Sequence, residues 1–242
     1  MMRIRFRSPQ NPRRRGLQRV ALGLALSALV SASSSAKEDD EPTVNSWYAQ
    51  TVARSSAGLN VNYFWSLGTK FRAETVVAGH KVVTIVSGDT YYAYNAVLMH
   101  GIAVRRTAAA IAADTSKRRP FGNEAEVLLG QGAEKTREEV LYNIPSDVYQ
   151  ISNDAGRQVL WVTQDSRRLP IRVEIYERRT GSTSYKEYFD WQIGIRIAEE
   201  FFDPEPAVKL KHFTFDEYVK NSDDQEVMGL APILYEDLLL GR

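Results

Sequence analysis

The sequence predicts an α+β, mainly β protein: one strongly curved antiparallel sheet with two short helices inserted mid-chain. Three observations predict it. Runs of β-branched and aromatic residues recur at short spacing, separated by Gly-centred turns too brief for helical crossovers. Leu169, Ile171, Val173 and Ile175 alternate with Pro170, Arg172, Glu174 and Tyr176, the pattern of a strand with one buried face. Mid-chain, only about 25 residues, between Thr107 and Leu129, have helical texture.

The elements follow in order. Met1–Arg19 carries seven arginines and no acid, Val20–Val30 is apolar, and Ser31–Ala36 is small and polar. Ser34 and Ala36 sit at the spacing of the −3 and −1 positions of a cleavage site. Residues 1–36 therefore read as a signal peptide, the apolar run being shorter than the ~20 residues of a bilayer span. Arg14-Arg15 with Leu17 partly matches a twin-arginine signal and leaves the export route open. Lys37–Glu41 is a charged leader, and Val44–Ser55 reads as a short helix with Trp47, Tyr48 and Val52 on one side.

Strands follow at Asn60–Leu67, Lys70–Val77, Lys81–Ser87, Tyr91–Asn95 and Ile102–Arg106. Thr107–Asp114 is alanine-rich and helical. Lys117–Pro120 breaks the pattern, and Asn123–Leu129 is a second helix with Asn123 as N-cap and Glu126 three residues on. Strands resume at Glu138–Tyr142, Asp147–Ser152, Arg157–Thr163, Leu169–Arg178 and Ser184–Ile193, with a hairpin loop at Asn153–Gly156. No repeat or linker divides residues 37–242, which read as one domain with a C-terminal tail from about 221. In that tail Ile233, Leu234, Leu238 and Leu239 would line one side of a short helix, serving as a lid, a sheet-packing element or a partner-binding patch. A sheet of eight to eleven strands must cover its apolar face, and two short helices leave room for an apolar cavity.

Composition narrows the function. The chain has 31 basic and 30 acidic residues; loss of the seven leader arginines leaves 24 against 30, a formal charge near −6. That sign disfavours nucleic acid and anionic membrane surfaces as partners. The absence of cysteine excludes disulfides, thiolate metal sites, thiol nucleophiles and a lipid anchor attached through cysteine. The expected product is soluble and periplasmic. His80, His100 and His212 lie far apart, and none has a second ligand at i+3 or i+4. Glu138-Glu139 and Glu199-Glu200 are adjacent pairs, which on a strand point to opposite faces. No G-x-S-x-G elbow or phosphate-cradling loop is present. The reading is of a non-enzyme without cofactor or metal.

Four stretches carry a family resemblance. Phe64-Trp65 leads through a turn to Lys70-Phe71-Arg72, and Ile85–Asn95 (IVSGDTYYAYN) joins an apolar strand to an aromatic one. Leu160-Trp161-Val162 leads into Leu169–Glu174, and Phe201-Phe202 is followed by Pro204. Together they resemble the LolA/LolB-like superfamily of periplasmic lipoprotein and lipid carriers. The resemblance implies a half-barrel sheet with short helices covering its concave face. It also implies a cavity that takes lipid or lipoprotein acyl chains, ferried between a membrane-bound donor and acceptor. Strand alternation, free by one residue in register, selects Trp65, Phe71, Val83, Ile85, Tyr92, Trp161, Ile171, Val173, Ile175, Phe189 and Trp191 as its lining. Lys70 and Arg72 are the expected headgroup contacts at its mouth, with Lys117-Arg118-Arg119 as a further mouth or partner contact. The arginine that these carriers place in the turn after Phe64-Trp65 has no counterpart in Ser66–Thr69. Other members of the superfamily sense envelope stress through a partner regulator, so the alternative function is a protein-interaction module.

Overall fold

Two antiparallel meanders are joined edge to edge by one strand near the start of the fold. The computed structural model describes residues 45–55, 58–117, 119–222, 224 and 232–241. The basic leader, the cleavage region and Lys37–Glu41 lie outside the described residues. The first strand, β1 (Ser46–Ser55), pairs with β2 (Gly58–Leu67) on one edge and with β11 (Ser182–Ile193) on the other. From β2 the chain runs through β3 (Lys70–Val77), β4 (His80–Ser87), β5 (Thr90–Asn95) and β6 (His100–Arg105). After helices α1 (Ala108–Thr115) and α2 (Glu124–Gly130) come β7 (Glu134–Leu141), β8 (Ile144–Asn153), β9 (Gly156–Thr163) and β10 (Pro170–Glu177). The described residues form a twelve-stranded sheet, ordered β12-β6-β5-β4-β3-β2-β1-β11-β10-β9-β8-β7. Every pair is antiparallel except β12 (Lys209–Phe213), which lies parallel to β6. A parallel partner requires a long return path, and more than a hundred residues separate these two strands.

Of the helix expected at Val44–Ser55, Val44 lies outside the described residues and Ser46–Ser55 is a strand. Trp47, Tyr48 and Val52 share a helical face, but Trp47, Ala49 and Thr51 alternate into the core and the backbone pairs on both edges. Pairing on two edges overrides a weak local preference.

Side chains alternate between two faces. On the inner face, which the helices cover, Ala49, Phe64, Ala73, Thr84, Ala93 and Ile102 lie in one row across six strands. Beside it run Trp47, Ser66, Phe71, Val86, Tyr91 and Val104. The outer face of β2–β5 is also apolar, through Trp65, Val83, Ile85, Tyr92 and Tyr94. It is covered by the chain after β11, where the 3-10 turn Glu199–Phe202 inserts the fully buried Phe202 against Val83, Ile85 and Tyr94.

Arg72 pins that cover. Its Nη1 donates to the Phe201 carbonyl at 3.1 Å, its guanidinium stacks 4.6 Å from the Phe201 ring centroid, and Nε and Nη2 both donate to Glu74 Oε1. Lys81 reaches Glu74 Oε2 at 2.7 Å. Burial alone would raise the Glu74 carboxyl; hydrogen bonds and charge from Lys81 and Arg72 outweigh it and hold the group below its ordinary value.

The tail is fixed on the other side. Helix α3 (Phe215–Asn221) begins with a capping box of Thr214 and Glu217. After it, Pro232–Gly241 crosses the inner face and ends in α4 (Glu236–Leu240), which packs on α1. Arg106 donates from Nε to the Leu238 carbonyl at 2.7 Å, from Nη1 to the Gly88 carbonyl at 3.1 Å and from Nη2 to Asp114 at 2.6 Å. Thr107 caps α1 by accepting from the Ala110 N–H, and its hydroxyl donates to the Leu240 carbonyl at 2.9 Å. Gly241 closes α4 at φ +74°, and a Cβ there would sit 2.4 Å from the Ala110 nitrogen.

Three outcomes are expected. Arg72→Met lowers the unfolding free energy by about 2 kcal/mol in urea titrations, less than the ~3–5 of an isolated buried pair because Lys81 still neutralises Glu74. Since the folded Glu74 value is depressed, its contribution is present above the ordinary glutamate pKa of 4.5 and lost as pH falls through the folded value. Glu74→Gln is therefore less stable than wild type at neutral pH, and the gap closes on acidification. Gly241→Ala, strained by its positive φ and by overlap with α1, speeds hydrogen exchange at Leu238–Leu240 while β2–β5 amides keep their protection.

Candidate functional site

The inner face carries a cluster built from both halves of the sheet. Phe64, Phe71, Tyr91 and Val104 come from one meander, Tyr149, Leu160, Val173 and Tyr188 from the other, and Trp47 from the joining strand. Phe121 from the α1–α2 connection lies 4.8 Å from Phe71, ring centroid to centroid. Helix α2 adds Ala125 and Leu128 and lies over β8 and β9. The tail contributes Tyr235, whose ring stands edge-on to Phe64 at 5.9 Å and Phe71 at 6.0 Å, and Leu239, which is 1% exposed. The Tyr235 N–H donates to the Tyr91 hydroxyl at 3.3 Å. Burial drives the Tyr91 and Tyr235 hydroxyls well above the ordinary tyrosine range. The space that two helices leave on this face is thus occupied by the chain's own C-terminal segment.

One end of the cluster is polar. At the start of α2, Glu124 Oε1 accepts from Tyr188 and, at 3.2 Å, from Lys186 Nζ. Burial pushes the Glu124 carboxyl up, but the Lys186 charge and the Tyr188 hydroxyl outweigh it and leave it below its ordinary value. The Tyr188 phenol is raised, by burial first and then by the Glu124 charge. Asn123 occupies the N-cap position, but its side chain makes no capping bond. Arg119 is 5% exposed and donates from Nη1 to the Arg167 carbonyl at 2.9 Å. Its Nε and Nη2, with Asn123 Nδ2, are buried donors without a hydrogen-bond partner among the described residues. Burial lowers the Arg119 pKa, against the charges of Glu126, Glu124 and Asp165. Glu124 Oε2, in the same cluster, is a buried acceptor likewise without a hydrogen-bond partner among the described residues.

The eleven residues expected to line one cavity are distributed over both faces. Phe71, Val173 and Trp191 belong to the inner cluster. Trp65, Val83, Ile85 and Tyr92 lie on the outer face beneath the 3-10 turn, and Trp161 and Ile171 pack with Val148 and Val159 in a third cluster. Ile175 and Phe189 are exposed, at 41% and 39%. Two bulges account for part of the separation. Ala49 faces both Asp190 and Trp191, which sends Phe189 and Trp191 to opposite faces despite their i, i+2 spacing. Between Pro170 and Arg172 the register also shifts, separating Ile171 from Val173. The rest follows from β4, where Val82, Val83, Ile85 and Val86 are all buried. A strand apolar on both faces gives alternation nothing to discriminate.

Lys70 and Arg72, expected at a cavity mouth, are tied into the outer cover. Lys70 pairs with Glu199 at 2.9 Å, and Arg72 is held by Glu74 and Phe201. Of the basic run Lys117-Arg118-Arg119, Arg118 lies outside the described residues, and Arg119 is the member close to the inner cluster. Among the described residues no three His, Cys, Asp or Glu side chains come together as a metal site, and no helix is long and apolar enough to cross a membrane.

No protein-family model matches the chain, and no curated protein does. Solved structures do. An uncharacterized conserved protein from Thermus thermophilus superposes with a TM-score of 0.50 at 10% identity, over 70% of this chain and 91% of that one. The Pseudomonas aeruginosa MucA/MucB complex gives 0.44 at 13% identity, over 70% of this chain and 59% of that one. A putative outer membrane lipoprotein-sorting protein domain from Vibrio parahaemolyticus gives 0.32 at 12%, over 66% and 90%. At these identities the likeness concerns the fold alone, a mainly β protein built on an open, curved sheet with few short helices.

Proposed function

We propose that this protein is a periplasmic carrier that binds an acyl chain on the inner face of its sheet, with Pro232–Gly241 as the placeholder the ligand displaces. The observation that carries the reading is the tail itself. A segment from the chain's end, outside the sheet's hydrogen-bond ladder, supplies Tyr235 and Leu239 to an aromatic surface built by Phe64, Phe71 and Phe121. An acyl chain offers the same apolar contact, worth ~0.8 kcal/mol per buried CH₂, and can replace those side chains while the sheet stays paired. Arg119 with Asn123 supports an acidic head on the ligand, because their unpaired donors border the apolar interior.

The second reading, a protein-interaction module, is favoured by a different observation. Val140, Tyr142, Ile144 and Phe189 are exposed around the β7–β8 hairpin, and the Tyr142 and Phe189 rings lie 6.3 Å apart. An exposed apolar patch of this kind suits a partner surface.

Lipid mass spectrometry on protein purified from the periplasm separates the two. The carrier yields a stoichiometric lipid or lipopeptide, or acquires one from total membrane lipids. Truncation before Pro232 tightens binding of a fluorescent fatty acid by ~10-fold or more, since the ligand no longer competes with the tail. A lipid-free extract together with no fatty-acid binding by either form leaves the interaction module as the function.

A further inference from the structure

The two ends of the first meander are built differently. Its strands alternate in direction, so the β2–β3 and β4–β5 turns lie at one end and the β1–β2, β3–β4 and β5–β6 turns at the other. The first pair is made of ordinary turn residues, Gly68-Thr69 and Gly88-Asp89. The second set carries aliphatic side chains into solvent. Leu59 beside the β1–β2 turn is 55% exposed, Val76 beside the β3–β4 turn 56%, and Val97 and Leu98 in the β5–β6 turn 66% and 43%. Ala78 and Met99 hold positive φ at these tips, +50° and +53°, where turns ordinarily place Gly, Asn or Asp. The tips are neighbours: the Ala96 N–H donates to the Lys81 carbonyl at 2.8 Å, and β2 is the next strand beyond β3.

Cations border them. Arg54 on β1, Lys81 on β4 and Lys209 at the start of β12 are exposed along this rim, and the Lys209 N–H donates to the Met99 carbonyl at 2.8 Å. The segments Arg54–Asn60, Val76–Val82 and Asn95–Gly101 contain no acid. Glu74 stands back from the tips, where it pairs with Arg72 and Lys81, and Glu205 lies 3.9 Å from Arg72. On the second meander the same end is polar, with Arg178-Arg179-Thr180 in one turn and Asn153-Asp154 in the other. The aliphatic tips therefore belong to one stretch of one rim.

We propose that this rim docks on a membrane surface: Leu59, Val76, Val97 and Leu98 enter the headgroup layer, and Arg54 and Lys209 meet the phosphates of anionic lipids. Aliphatic tips bordered by cations match the two layers of such a surface, apolar within and anionic outside. Salt screens charge beyond ~8 Å, so the acid-free rim, and not the net negative charge of residues 37–242, sets the field at contact. A second copy docked through the same end would bring like charges together, which disfavours self-association as the cover. The rim is separate from the inner face and does not depend on what binds there.

Cosedimentation of the protein with vesicles of phosphatidylethanolamine and phosphatidylglycerol tests the assignment, with phosphatidylcholine vesicles as the neutral comparison. Binding to the anionic vesicles that weakens as salt rises is expected. Val97→Ser with Leu98→Ser should lower the partition coefficient about tenfold or more. Arg54→Gln with Lys209→Gln should lower it roughly fivefold per charge and flatten the salt dependence. All four side chains are exposed, so both variants fold and keep whatever fatty-acid binding the wild type shows. Failure of the rim is thereby distinguishable from failure of the carrier reading. The chain has no cysteine, so a dye on Val97→Cys or on Thr69→Cys reports a single place. The dye at 97 should shift to the blue on vesicles, and the dye at 69, at the opposite end, should not. No binding to the anionic vesicles overturns the proposal. So does binding that both double variants leave unchanged, a blue shift at 69 but not at 97, or self-association through Val97 and Leu98 in place of vesicle binding.

Discussion

Strand β1 has hydrogen-bond partners along both edges, and the architecture depends on that double pairing. Without β1, residues 58–105 and 134–193 would be two separate antiparallel ribbons, each with an open edge. With it, Trp47 and Ala49 stand at the centre of one inner surface, and aromatic side chains from sequence-distant strands meet around them. An open twelve-stranded sheet has a large area on each side. Because β4 and its neighbours are apolar on both faces, each side needs its own cover.

The two covers are held by the same chemical device. Outside, Arg72 binds a main-chain carbonyl in the covering turn and a carboxylate on its own strand. Inside, Arg106 binds a main-chain carbonyl of the tail and a carboxylate on α1. A guanidinium with five donors in a rigid fork can satisfy a loop's free carbonyl while remaining neutralised. Each clamp therefore holds an irregular segment against a sheet that offers it no ladder bonds. The difference lies in what surrounds the clamp. The outer turn is followed by β12, which joins the sheet, whereas the tail's last described residues end on α1.

The two faces differ in chemistry as well as cover. Inside, large apolar side chains end at a polar cluster in which Arg119 and Asn123 keep unpaired donors and Glu124 an unpaired acceptor among the described residues. Outside, Tyr48, Tyr63 and Trp65 line an open groove together with Glu74 and Asp190. Neither arrangement brings together the nucleophile, base and oxyanion donors of a hydrolase. Both are surfaces made by sheet alternation and then adjusted by bulges.

The sequence by itself determined most of the strands, both mid-chain helices, the start of α2 after Asn123, and the mainly β class. These depend on neighbours within a few residues: alternation, Gly-centred turns and helix-start residues. It did not determine β1, because Ser46–Ser55 has no local preference strong enough to outweigh pairing on two edges. It did not reveal the parallel β12 either, since a five-residue strand becomes a strand only by meeting β6. The site was less legible than the fold. Phe71, Val173 and Trp191 were readable as inner residues, but Trp65, Val83, Ile85 and Tyr92 were not readable as outer ones, because both faces of those strands are apolar and a bulge changes parity without a local mark. That Arg72 is a clamp, that Arg119 is buried with open donors and that Pro232–Gly241 fills the inner face were decided by tertiary structure alone. Each rests on groups brought together from distant parts of the chain, and sequence periodicity has no way to encode such a meeting.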